Sequence, residues 1–159
     1  MKKLLFVLVI ISIASCKKEK KITSFNPNDY LVFGDFYGEC LGDRCVDLYK
    51  LGDTALYEDV NAHYPYSSEL YDGEFTHQLS EQQYNETKDL IDFFPTGLLN
   101  ETDTVIGSPD AGDWGGYYVE YNFNGVRKFW LMDKMKGNVS SDYHTFIDKM
   151  EEKLQLLEP

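Results

Sequence analysis

Three groups of residues have the types and spacing to do chemistry. The first is Ile13-Ala14-Ser15-Cys16, which follows Lys2, Lys3 and an apolar run from Leu4 to Ile13 broken only by Ser12. A basic n-region, a short apolar h-region and small residues before a cysteine make a lipoprotein signal. The Cys16 thiol takes a diacylglyceryl group and the chain is cut before it. The apolar run is about half the ~20 residues that a membrane-spanning helix needs. The second group is Cys40 and Cys45, which bracket Leu41-Gly42-Asp43-Arg44. The third is Asp110-Ala111-Gly112-Asp113-Trp114-Gly115-Gly116, where two carboxylates and an indole stand among glycines.

Each group has a limited chemical range. Once Cys16 is acylated, Cys40 and Cys45 are the remaining thiols, and in an envelope compartment they are free to oxidise. Two cysteines around a four-residue turn form a local disulfide, worth roughly 2 kcal/mol by loop entropy. A zinc site would need further soft ligands, yet His63, His77 and His144 are scattered singly. A redox pair would need C-x-x-C at a helix start, which is absent. Asp110 and Asp113 have the hardness to ligate a cation and Trp114 the flat face to stack on a ligand. The calcium-loop spacing is not met, however, and no bidentate Glu follows. No metal and no cofactor is therefore expected. A second rim, His63, Tyr64, Tyr66 and Tyr71 with Glu69 and Asp72, has the tyrosine-rich make-up of recognition loops. Neither a P-loop, G-x-G-x-x-G nor G-x-S-x-G occurs.

The composition sets the surroundings of these groups. The chain has 159 residues with 15 basic and 27 acidic side chains, a formal charge of −12. Without Lys2 and Lys3 the basic residues fall to 13 and the charge to −14. That field repels nucleic acid and suits a cationic protein partner or a small ligand. Residues 1–15 are read as the signal peptide, 16–26 as the lipid anchor and tether, and 27–159 as one globular domain. Two or more acyl chains would hold the domain on a membrane. Lys17 after Cys16 favours the outer membrane, and the mainly basic KKEKK stretch favours its periplasmic face over the cell surface.

The elements that must position these residues read as α+β: a mainly antiparallel sheet of two strand-strand-helix units, with the helices packed on one face. Residues 30–39, 45–51 and 55–60 are strand-like, and 75–79 forms a further short strand. Ser80 with Gln83 makes a capping box, and Leu79 with Tyr84 a hydrophobic staple, for a helix that Pro95 stops. Asn124-Gly125 turns a hairpin of 117–123 and 126–132. Its register puts Tyr117, Val119, Tyr121, Phe123, Val126, Trp130 and Met132 on a core face with Lys128. Tyr118, Glu120, Asn122, Arg127, Phe129 and Leu131 occupy a mixed second face. The last helix starts near Ser140 or Ser141 and buries Tyr143, Phe146, Ile147, Met150, Leu154 and Leu157. Asp148, Lys149, Glu151, Glu152 and Lys153 form its solvated side, and His144 also faces solvent.

In order of features, residues 38–157 resemble a family of small bacterial envelope domains that has no assigned activity. The family opens on a C-x-G-x-C-like hairpin, matched by Cys40, Gly42 and Cys45 with one more residue in the spacing. Val46 stands where that family usually has proline. Phe93-Phe94-Pro95 matches its central helix end, and the helix after Ser140 its last element. The lipobox with an acidic, aromatic mature chain also looks like lipoproteins of the Bacteroidota. The resemblance implies a fold and no activity, so a non-enzymatic accessory or binding module is expected. The alternatives are an inhibitor of a basic secreted enzyme such as a lysozyme, with the Cys40–Cys45 loop as its wedge, or a hydrolase using Asp110, Asp113 or His63.

Overall fold

The computed structural model describes residues 25–41 and 44–158. Residues 1–15, read above as a signal peptide, and Cys16 and Gly42 lie outside the described residues. Seven strands form one sheet: β1 (Tyr30–Phe36), β2 (Val46–Leu51), β3 (Leu56–Asp59), β4 (Phe75–Gln78), β5 (Val105–Ile106), β6 (Gly116–Phe123) and β7 (Val126–Asp133), in the order β4-β3-β2-β1-β6-β7-β5. All neighbours are antiparallel except β5 and β7. Four strands precede α1 (Glu81–Thr87) and three more precede α2 (His144–Leu157), so the fold is α+β. No described helix is long and apolar enough to cross a membrane.

Alternation along each strand divides the sheet into two faces. Leu31, Phe33, Tyr49, Leu51 and Leu56 join Tyr117, Val119, Tyr121, Phe123, Trp130 and Met132 on the first face. Buried residues of both helical segments pack there: Leu90, Ile91 and Phe94 from the first, Phe146, Ile147 and Met150 from α2. Phe94 is the centre of this layer, with its ring 4.8 Å from Tyr121, 5.7 Å from Phe146 and 6.2 Å from Trp130. Phe25 packs on the same cluster, 5.0 Å from Phe123. At the β1–β2 crossing the backbones approach closely. A Cβ on Gly34 would lie 2.0 Å from the Asp47 carbonyl oxygen, so only glycine fits.

Residues 60–74, which join β3 to β4, cover the second face as a strap. Val60 N–H donates to the Glu74 carbonyl at 3.1 Å and closes the strap at one sheet edge. At the far edge the Thr104 hydroxyl donates to the Ser67 carbonyl at 3.0 Å. Tyr71 is buried under it with Val32, Phe36, Val46, Leu48, Tyr118 and Leu131. The Asp59 carboxylate fixes the base, accepting from Ala62 N–H (2.9 Å), Glu74 N–H (2.6 Å) and the Tyr71 hydroxyl (2.5 Å). Tyr71 N–H donates to the Tyr118 oxygen, and the Tyr118 hydroxyl donates to Glu120. Glu120, 2% exposed, also accepts from Tyr30 and from Arg127, each at 2.8 Å. Burial first, and then the bond to Glu120, push the Tyr30 phenol up to about 12.

Several local expectations are corrected by tertiary contacts. The capping box at Ser80 forms, but the α-helix ends at Thr87 and the chain continues as a 3-10 helix over Lys88–Phe93. After Pro95 a second 3-10 turn, Thr96–Asn100, ends where the Lys128 ammonium donates to the Leu99 carbonyl at 2.7 Å. Lys153 is not on a solvated side: it is 5% exposed. Its ammonium donates to the Glu86 carbonyl at 2.6 Å and pairs with Asp89 at 2.8 Å. A cation there complements the last turn of α1 and its free carbonyls. His144 is half-buried and not turned to solvent: its Nε2 lies 3.0 and 3.1 Å from the Lys136 and Val139 carbonyl oxygens. Phe94→Ala should destabilise the fold by about 3–5 kcal/mol, measured by urea unfolding, because it empties the centre of the larger core.

Candidate functional site

Four connections leave the same end of the sheet: residues 37–45, 60–74, 107–115 and 134–139. Among the described residues they hold six of the nine exposed large apolar side chains: Leu41, Val60, Tyr66, Trp114 and Met135, with Leu70 further out along the strap beside Arg127 and Phe129. Exposed large apolar side chains are thus more frequent on these connections than on the rest of the described surface.

The first connection is the cystine loop. Cys40 and Cys45 are disulfide-bonded with their Cα atoms 5.5 Å apart. Tyr37 N–H donates to the Cys45 carbonyl at 2.8 Å, which closes the loop on the strand ends. Leu41 at its tip is fully exposed. Arg44 pairs with Asp47 at 3.1 Å on the return side.

The 107–115 connection is held by two carboxylates. Asp110, at φ 58°, accepts from Gly38 N–H (2.8 Å) and the Tyr64 hydroxyl (3.0 Å) through Oδ2, and from Gly115 N–H (3.0 Å) through Oδ1. One side chain thus ties together the cystine hairpin, the strap and its own loop. Burial first, then the bond to Asp110, push the Tyr64 phenol up to about 12. Gly115, at φ 74°, has no room for a Cβ, which would lie 2.5 Å from the Tyr37 ring. Asp133 accepts from Ser108 N–H (2.9 Å), Met135 N–H (2.7 Å) and the Asn138 side chain (2.7 Å). Burial alone would raise the Asp133 carboxyl, but those three donors outweigh it and hold it below the usual carboxylate range.

Behind this loop the Lys134 ammonium donates to Asp35 at 2.8 Å and to the Tyr37 hydroxyl. It also lies over the Tyr37 and Tyr117 rings, at 4.3 and 5.0 Å. Burial works against its charge, yet the bonds to Asp35 and Tyr37 raise its pKa on balance. The Tyr117 hydroxyl donates to Glu151 at 2.5 Å. These charges are matched internally and form a support for the loop.

The residues singled out in the sequence take different places. Asp110 is an internal acceptor, whereas Asp113 is exposed at φ 63° and Trp114 is 63% exposed. Among the described residues no group of three His, Cys, Asp or Glu side chains comes together to hold a metal. His63 stacks on Tyr71, with ring centroids 4.3 Å apart, and the Tyr71 hydroxyl is directed at Asp59. Tyr66 remains exposed with Glu69 and Asp72 around a small concavity. Asp133, Tyr37 and Lys134 carried no local signal, because each acts on a partner distant in sequence or in a loop without periodicity. No protein-family model matches the chain, and no curated protein or solved structure matches it either.

The depressed Asp133 pKa has a definite sign. Its ionised form is favoured by folding, so this stabilisation is complete above the unfolded carboxylate value and is lost as pH falls through the lower folded value. Asp133→Asn should therefore lower the urea midpoint at about pH 7 and flatten its decline below about pH 4.

Proposed function

We propose that this chain is a lipid-anchored, non-enzymatic binding module of the bacterial envelope, held through Cys16 on the periplasmic face of the outer membrane. The Ile13-Ala14-Ser15-Cys16 lipobox after a basic, apolar leader supports the anchor. In this reading the sheet is organised as two strand-strand-helix units that meet at the β1–β6 pair. The observation that carries the binding role is Trp114, exposed on a loop that Asp110 and Asp133 fix from both sides. An exposed indole on a pinned loop loses little entropy on contact, which is the economy of a preorganised recognition surface. Labelled palmitate should enter the wild-type chain and not Cys16→Ala, and whole-cell protease treatment should leave the domain intact. Label absent from the wild type refutes the anchor, and release of the domain refutes its orientation.

A second reading, an inhibitor of a basic secreted hydrolase, is favoured by one feature: Leu41 stands fully exposed at the tip of a cystine-closed loop on an acidic chain. An apolar tip on a braced loop fits a cleft, and opposite net charge speeds the encounter. A cationic muramidase should then be captured by the domain. Capture should fail above ~0.3 M salt, where exposed charges are screened, and should fail in Leu41→Asp. Capture that is absent, or unchanged by that substitution, rejects this reading.

A further inference from the structure

The end of the sheet opposite the cystine loop holds a second, separate feature. Lys50 lies on the strap-covered face of β2, beyond the part that the strap reaches, where it pairs with Tyr57 of β3 and Val32 of β1. A concavity of about 650 Å³ opens beside it, walled by Asn28, Tyr30, Thr54, Tyr57 and Asn122. That size falls within the range of small-ligand sites.

Lys50 stands apart in how its charge is treated. Nine basic residues lie among the described residues. Arg44, Arg127, Lys134, Lys136, Lys149 and Lys153 each pair with a carboxylate. Lys128 donates to backbone carbonyls and Lys88 to the Asn85 side chain. Lys50 alone among them has no hydrogen-bond acceptor. Its ammonium sits over the Tyr30 ring at 4.2 Å and 5.9 Å from the Phe75 ring centre. Ring contact does not replace an acceptor in this protein, since Lys134 has two such contacts and still binds Asp35 and Tyr37. In a chain with 27 acidic side chains, an ammonium left unpaired in the lining of a concavity is complementary to an anion from outside.

The walls narrow the class of anion. Asp29 and Asp53 also line the concavity. The Asp29 carboxylate is taken up by Asn26 and by Asn124 N–H, but both carboxylates still oppose a dianion. Asn28, Thr54 and Asn122 offer amides and a hydroxyl to polar groups. We propose that this concavity binds the carboxylate of a small hydroxylated monoanion, a sugar acid of the uronate type, with Lys50 as the residue that pairs with it. The site is independent of the anchor and of the Leu41 and Trp114 surface.

The full-length chain in detergent micelles, titrated with sodium glucuronate and followed by amide NMR, tests this. Shifts are expected at Tyr30, Lys50, Tyr57 and Asn122, and glucose at equal concentration should produce none. Lys50→Met keeps the aliphatic stem and removes the charge, and it should weaken binding about tenfold or more. Retention of the wild-type amide spectrum elsewhere would show that this variant is folded. If the spectrum is lost, Thr54→Val, at an exposed turn, serves instead and should weaken binding several-fold. The proposal is overturned by no shifts up to about 50 mM glucuronate, by an equal response to glucose, or by binding unchanged in a folded variant. A response to inorganic phosphate in place of glucuronate would overturn the assigned class.

Discussion

A sheet with two apolar faces needs two covers, and here the helices supply only one. The second cover is a fifteen-residue strap without regular structure, and its attachment rests on the Asp59 carboxylate at the strap's base. That group receives two backbone N–H donors and the Tyr71 hydroxyl. Through Tyr71 the attachment extends to Tyr118 and then to Glu120. The buried carboxylate of Glu120 is tolerable because Tyr30, Tyr118 and Arg127 all donate to it. Without this chain of bonds, Val32, Phe36, Leu48 and Leu131 would face water. The strap also delivers Tyr64 to Asp110, so the covered face and the loop end are mechanically one structure.

The same economy governs the loop end. A long irregular connection exposes many backbone N–H groups, and a carboxylate, with two oxygens and about four lone pairs, accepts more of them than any other side chain. Asp110 and Asp133 are used in that way, and Asp29 in the same way at the other end. Part of this chain's acidity is therefore structural. What is left for outside contact is the side chains that the frame presents outward, Leu41, Tyr66 and Trp114. These three side chains are the ones on which the proposed binding role rests.

Legibility in the sequence followed the range of the interactions. The capping box at Ser80, the Asn124-Gly125 hairpin with its core face, the amphipathic stripe of α2 and the Cys40–Cys45 disulfide all depend on neighbours within a few residues. Each was readable. The short strand β5 was not, since two residues carry no periodicity. Nor was burial of Lys153 readable, because its partners Glu86 and Asp89 lie more than sixty residues away. The strap's composition is polar and tyrosine-rich, which reads as a surface rim until Asp59 and Tyr118 are seen to draw Tyr71 inward. Asp110 looked available for ligands for the same reason: its donors, Gly38 and Tyr64, come from other parts of the chain.

The sheet's borders have a bearing on behaviour in a crowd. β4 offers four residues, three of them well exposed and polar, and β5 only two. Open strand borders are templates for pairing with a neighbouring copy, and the hazard grows with their length and apolar character. Molecules confined to a surface meet one another far more often than when dispersed in volume. Such abbreviated, hydrophilic margins would let many copies sit side by side without zipping into fibrils.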